Sequence, residues 1–132
     1  MKNFLYSIGL MSGTSMDGVD ASIIKSDGEK FVEVIDDVYL KYESKTKKNL
    51  QKITNLCSSK KKFKKLVKRV NNLERKITLD HYKACKLILS RNKNIKVKLI
   101  GFHGQTLLHK PKDGYSIQIG DAKLLAKLTK IT

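Results

Sequence analysis

The sequence has no tryptophan, a single proline at Pro111 and two cysteines, Cys57 and Cys85. With the one proline so late, nothing before Pro111 forces a helix to stop or confines a strand to an edge. The cysteines form no C-x-x-C pair and fall in stretches of helical spacing, which points to free thiols in a reducing cytoplasm and away from a disulfide framework. Long apolar runs are missing too, so no segment reaches the length of a membrane span. Lys2 followed by Phe4–Met11 has a superficial likeness to a secretory leader. However, Ser7 and Gly9 interrupt the run, a single basic residue precedes it and no small-x-small cleavage site follows, so it reads as a strand. Acidic residues are scarce, 12 against 28 lysines and arginines, for a formal net charge of +16.

Lysine makes up nearly all of that excess, with arginine only at Arg69, Arg75 and Arg91. Base reading and planar phosphate recognition favour arginine. Here the lysines are spread over every predicted element, with one dense run at Lys60–Lys62 and Lys64–Lys65. That pattern describes a solvated basic surface rather than a nucleic-acid face. At 132 residues and 40% apolar content, the chain suffices for one domain with a real core.

Along the chain, Phe4–Leu10 and Val19–Ser26 predict a hairpin. After the turn Asp27-Gly28-Glu29, Phe31–Tyr42 predicts a third antiparallel strand, with a bulge at Asp36-Asp37. Ser44 or Thr46 is placed to cap a helix through Leu50, Ile53 and Leu56. Ser58 or Ser59 is placed to cap a second, with apolar positions from Phe63 to Ile77 at helical spacing. A kink or a fresh helix start is expected at Thr78-Leu79-Asp80, and the pattern then runs to Asn92. Lys96–Phe102 predicts a strand with Val97, Leu99 and Ile100 in the core. Pro111–Gly114 predicts a turn, Tyr115–Ile119 a short strand, and Asp121–Leu128 the start of a helix, with Gly120-Asp121 offering amides or capping it.

Between the first two strands lies Gly9-Leu10-Met11-Ser12-Gly13-Thr14-Ser15-Met16-Asp17-Gly18-Val19-Asp20. Glycines and small hydroxyl residues let a turn aim amides and hydroxyls at one point, as a phosphate requires. The spacing matches neither G-x-x-x-x-G-K-[ST] nor G-x-G-x-x-G, and an ordinary Gly-Ser hairpin is the alternative. At the end of the fourth predicted strand, His103-Gly104-Gln105-Thr106 combines donors, acceptors and space, which suits a polyhydroxylated ligand. The alternative is a histidine satisfying carbonyls at a strand end. His103 and His109 lack a third ligand at zinc spacing.

The first stretch resembles the opening signature of the anhydro-N-acetylmuramic acid kinases. Gly101-Phe102-His103-Gly104-Gln105-Thr106-Leu107-Leu108-His109-Lys110-Pro111 and Ser116-Ile117-Gln118-Ile119-Gly120-Asp121, followed by Leu125-Ala126, agree with that family in order and distance. The resemblance implies an α/β protein of the actin/hexokinase-type (ribonuclease H-like) ATPase fold, with a mixed sheet and flanking helices. Residues 1–132 would be the first lobe, ending before the family's catalytic aspartate and second lobe. It implies transfer of the γ-phosphoryl of ATP to the 6-oxygen of 1,6-anhydro-N-acetylmuramic acid, while water opens the anhydro bridge, in cytoplasmic cell-wall sugar recycling. ATP phosphates would meet Gly13, Thr14, Ser15, Met16, Asp17, Gly18, Val19 and Asp20. Mg²⁺ would meet Asp20 in preference to Asp17, with Asx turn stabilisation as the alternative for both. The sugar would meet His103, Gly104, Gln105 and Thr106. The full-length family member is a candidate homodimer; no membrane or nucleic-acid partner is implied. Alone, the chain is expected to be inactive. A noncatalytic lysine-rich fragment that binds a partner chain or polyanion is the competing reading. Lys130 stands where the family usually has glycine.

Overall fold

Alternation within the first strands decides which way the sheet faces. In a computed structural model, which describes residues 3–57, 60–110, 112 and 114–132, β1 (Leu5–Met11), β2 (Gly18–Ser26) and β3 (Val32–Lys41) form an antiparallel meander. Ile8 and Leu10 on β1, Val19, Ala21 and Ile23 on β2 and Val38 on β3 are all buried on one face, the period-2 consequence of strand geometry. The β2–β3 ladder skips Ile35, immediately before Asp36. This bulge leaves Asp36 to accept hydrogen bonds from Arg91 Nη2 at 3.0 Å and Asn92 Nδ2 at 2.8 Å.

Helices α1 (Ser44–Leu56), α2 (Lys60–Lys65) and α3 (Val67–Arg91) then cross to β4 (Val97–Gly101), which lies parallel to β1 and completes the order β3-β2-β1-β4. A parallel neighbour needs such a crossover, because a tight turn only reverses the chain. α3 buries Val70, Leu73, Ile77, Ala84, Cys85 and Ile88 in the core it shares with the sheet and α1. Each large aliphatic side chain buried there stabilises the fold by about 1.5–3 kcal/mol. Both thiols are free and buried, and burial pushes Cys85 up to about 12. No helix among the described residues is long and apolar enough to cross a membrane.

Three local expectations change. Neither Ser44 nor Thr46 caps α1: Glu43 occupies the cap position without a side-chain bond, and Thr46 is buried. α3 runs without a break through Thr78, whose hydroxyl donates to Glu74 O at 2.8 Å within the helix. The break falls instead at Leu66, after a six-residue helix with no acidic residue in its first turn to balance its lysines. Leu99 points out of the core and is 47% exposed. Ser58, Ser59 and the Pro111 and Asp113 positions of the predicted turn lie outside the described residues.

β5 (Gln105–Lys110) and β6 (Tyr115–Ile119) form a separate antiparallel hairpin, so Gln105 and Thr106 belong to a strand rather than to the loop expected of them. α4 (Ala122–Thr129) follows, capped by Asp121 Oδ1, which accepts from Leu124 N at 3.0 Å. It ends on Lys130 at φ 58°, the left-handed conformation that glycine adopts most readily.

Candidate functional site

The signature turn is tight and open to solvent. Met16 N donates to Gly13 O at 3.1 Å, and Gly13, Thr14 and Ser15 are exposed. Among the described residues, no protein acceptor takes the Thr14 or Ser15 amide. The left-handed residue of the turn is Met16, at φ 59°, not a glycine. Its buried side chain packs beside Thr54 of α1 and holds a conformation that would otherwise cost about 1 kcal/mol or more.

The two glycines of the turn have different duties. A Cβ on Gly13 would meet nothing closer than Ser15 Oγ at 4.0 Å, whereas one on Gly18 would lie 2.3 Å from Leu40 O. Gly18 therefore permits close approach to β3, not to a ligand. Val19 is fully buried in the core. A hollow of about 360 Å³ beside the turn is lined by Thr14, Ser15 and Met16, and by Gln51, Thr54 and Asn55 of α1.

The two acidic residues also differ. Asp17 forms an ion pair with Lys47 of α1. Its hydrogen bond to Lys47, assisted by one to Ser15, holds the carboxyl below the usual range. Its carbonyl accepts from Tyr42 N at 2.9 Å, which fastens the turn to the end of β3. Asp20 is exposed on β2, opposite Met11 and Tyr39, and its carboxylate has no hydrogen-bond partner among the described residues.

The second block approaches the turn from beneath. Ser12 pairs with Gln105 in an isolated parallel bridge, and the Ser12 hydroxyl donates to Gly104 O at 2.9 Å. Gln105 is 0% exposed and its carboxamide is fully engaged. Nε2 donates to Gly13 O at 2.8 Å and Thr106 O at 3.1 Å, while Oε1 accepts from the Tyr42 hydroxyl at 3.1 Å. Burial raises the Tyr42 phenol well above its ordinary value, so it remains a donor. Gly104 sits at φ 77°, where a Cβ would lie 2.1 Å from Ile119 O. His103 is exposed and Thr106 half-buried, so these two are the members of the block with surface to offer a ligand.

The matching description is anhydro-N-acetylmuramic acid kinase, over residues 5–132. The chain belongs to that family. A protein of that name from Pelagibacter ubique is 48% identical over 130 residues, which are 98% of this chain and 34% of the relative. Others from Agrobacterium fabrum and Zymomonas mobilis are each 39% identical, over 95% and 97% of this chain and 34% and 36% of their own lengths. The chain thus spans about a third of the length of these relatives. The mixed sheet with flanking helices agrees with the actin-like ATPase fold of this family.

Several residues that shape the site escape a reading of the sequence. Lys47 lies 30 residues from Asp17 on a helix whose spacing shows only a core stripe. Tyr42 looks like the last residue of a strand. Glu74 and Thr78 of α3 accept the Gly120 and Asp121 amides, each at 3.0 Å, so those amides are held by α3 and not presented to a ligand. Ser12 alone had a local signal, since it sits inside the signature.

Proposed function

We propose that this chain is the phosphate- and sugar-facing portion of a kinase that acts on 1,6-anhydro-N-acetylmuramic acid. In that reaction the γ-phosphoryl of ATP passes to the sugar 6-oxygen, and water adds at C1 as the anhydro bridge opens, giving N-acetylmuramic acid 6-phosphate and ADP. The observation that carries this reading is the exposed Gly13–Met16 turn, with the Thr14 and Ser15 amides and the Thr14 hydroxyl unspent among the described residues, braced from below by Gln105.

Thr14 and Ser15 donate to the phosphate tail, from amides fixed by the short Gly13–Met16 turn. Gly13 leaves room for the tail, while Met16, Gly18 and Val19 shape the loop from inside. Asp17 is committed to Lys47, which leaves Asp20 as the free carboxylate beside the phosphates. The donor set suits Mg²⁺ bound to a nucleotide, since Asp20 offers one exposed carboxylate with no side-chain partner among the described residues. Magnesium bound to nucleotide typically takes one or two carboxylates, with phosphate oxygens and waters completing its shell. When bound, it neutralises charge on the transferring phosphoryl group. His103 and Thr106 hydrogen-bond sugar hydroxyls, and Gly104 and Gln105 position them. A chain spanning a third of its relatives supplies only part of the machinery, so by itself it binds without turnover.

Titration of the ¹⁵N-labelled chain with Mg²⁺-ADP tests this. Amide shifts are expected at Thr14, Ser15 and Met16, and Asp20→Asn should remove their dependence on Mg²⁺. Shifts confined to Lys61–Lys65 would instead favour a polyanion-binding fragment. ATP-dependent sugar phosphorylation by the purified chain would overturn the claim that it is incompetent alone.

A further inference from the structure

Helix α1 has two faces of different chemistry. Thr46, Leu50 and Ile53 are buried in the core. Lys47, Gln51, Thr54 and Asn55 recur at helical spacing on an adjoining face. That face borders the signature turn. Gln51, Thr54 and Asn55 line the hollow of about 360 Å³ together with Thr14, Ser15 and Met16, and Thr54 Oγ1 lies 4.0 Å from Met16 Sδ. Each of the four side chains carries a hydrogen-bond donor, and none is acidic. Gln51 and Asn55 are exposed, with no side-chain partner among the described residues.

Lys47 is the cation of this group, and its place is fixed. Its ammonium is paired with Asp17, while the two side chains stay 40% and 47% exposed. Asp17 also hydrogen-bonds Ser15, so the ammonium stands two hydrogen bonds from the Ser15 side chain. The contact with Asp17 takes one of its three N–H donors. The other two have no acceptor among the described residues. Exposed pairs of this kind contribute little to stability. What this one achieves is orientation: a flexible four-carbon stem is pinned with its charge beside the Thr14 and Ser15 amides. Without that charge, Asp17 and Asp20 would set two carboxylates near the turn and repel a phosphate.

We propose that Lys47 is a phosphate-binding residue, the cation that meets the terminal phosphate of a nucleotide held at the Gly13–Met16 turn, and that Asp17 is the residue that positions it. This rests on the kinase reading above and gives the site a second wall. The turn supplies amides and the Thr14 hydroxyl from one side. From the other, α1 supplies the ammonium, and Gln51 and Asn55 extend that wall along the phosphate tail with carboxamide donors. A lysine ammonium is a compact point charge with rotatable donors, which suits a phosphate oxygen whose exact placement changes as the tail settles. Asp17 thus acts through Lys47 and not on the metal.

The test measures Mg²⁺-ADP binding to the 132-residue chain by calorimetry and by NMR of the ¹⁵N amides and ¹³C lysine ε carbons. Physiological ionic strength screens the general field of a chain with net charge +16. We expect the Lys47 ε signal to shift along with the Thr14 and Ser15 amides. Lys47→Met should weaken binding about tenfold. Lys52→Met removes an equal charge from an exposed position on the same helix and should change binding less than about twofold. The double variant Lys47→Met with Asp17→Asn separates contact from neutralisation. If Lys47 served only to neutralise Asp17, removing both charges would restore the original affinity and overturn the proposal. A direct phosphate contact leaves the double variant about tenfold weak. The ε-carbon shift needs no substitution, so it decides the case should Lys47→Met fail to fold. Amide shifts at Thr14 and Ser15 with an unmoved Lys47 signal overturn the role of Lys47 alone. No shift at any of the three overturns the kinase reading and this role together.

Discussion

The two blocks of the candidate site differ in what they leave free. Thr14 and Ser15 of the signature turn face solvent, with their amides untaken among the described residues. In the second block, Gly104 and Gln105 face inward: one is wedged against Ile119, and the other spends its whole carboxamide on Gly13, Thr106 and Tyr42. Both blocks look equally polar and glycine-rich in sequence. Their difference teaches that a polar motif can serve by holding a neighbouring turn in place rather than by offering groups of its own. Leaving a buried polar group unpaired costs about 1–3 kcal/mol, so a fully paired Gln105 stiffens the turn above it.

Substitutions can break or sharpen this contrast. Gly104→Ala should have the largest effect, because it combines a positive φ with a 2.1 Å contact to backbone. We expect a loss of about 4 kcal/mol by urea denaturation, a large share of a small domain's stability. Gln105→Leu should cost about 3 kcal/mol and speed exchange of the amides in the Gly13–Met16 turn. Normal stability with lost ligand binding would instead move Gln105 from scaffold to ligand contact.

Within the signature itself, Gly18→Ala should cost about 2 kcal/mol, since Leu40 O and Lys41 Cα cannot yield cheaply. Gly13→Ala should stay within about 0.5 kcal/mol. Equal losses at the two positions would show that the turn is packed throughout rather than open at Gly13.

The remaining two effects depend on pH. His81 is buried against Phe102, with ring centroids 5.0 Å apart, and its Nδ1 lies 2.7 Å from Ile77 O. Burial lowers its pKa below the ordinary 6.5. The unfolded imidazole thus takes up a proton that the folded one refuses, and stability declines as pH falls below 6.5 toward the folded value. His81→Asn should flatten that part of the pH profile. The smallest change concerns Asp17. Its folded pKa is depressed below 3.8, so the Lys47 contribution is complete above that value and fades as pH falls through the folded one. In Lys47→Met, carboxyl NMR should show the Asp17 midpoint moving up toward 3.8, with no measurable change in unfolding midpoint at neutral pH.

Much of the fold could be read directly. The alternation of Ile8, Leu10, Val19, Ala21 and Ile23 marks strands, and the spacing of Val70, Leu73, Ile77 and Ile88 marks a helix, because burial imposes those periods. The bulge beside Asp36 and the cap at Asp121 were equally visible as local chemistry. The continuity of α3 was not, since Thr78 signals a break only when its hydroxyl has no helical carbonyl and no Asp121 amide to occupy it. Nor was the outward direction of Leu99, because a leucine in a short strand looks like core whichever way it points.

Sequence alone determined the family, the order of strands and helices apart from β5, and the identity of the turn, because those rest on residue type and near-neighbour spacing. Tertiary structure alone decided which polar groups remain free: Asp17 is claimed by Lys47 and Gln105 by Gly13, while Thr14, Ser15 and Asp20 are left available. Hydrogen-bond partners far apart along the chain become known only when the backbone brings them together, and a donor already satisfied has nothing left to give a ligand.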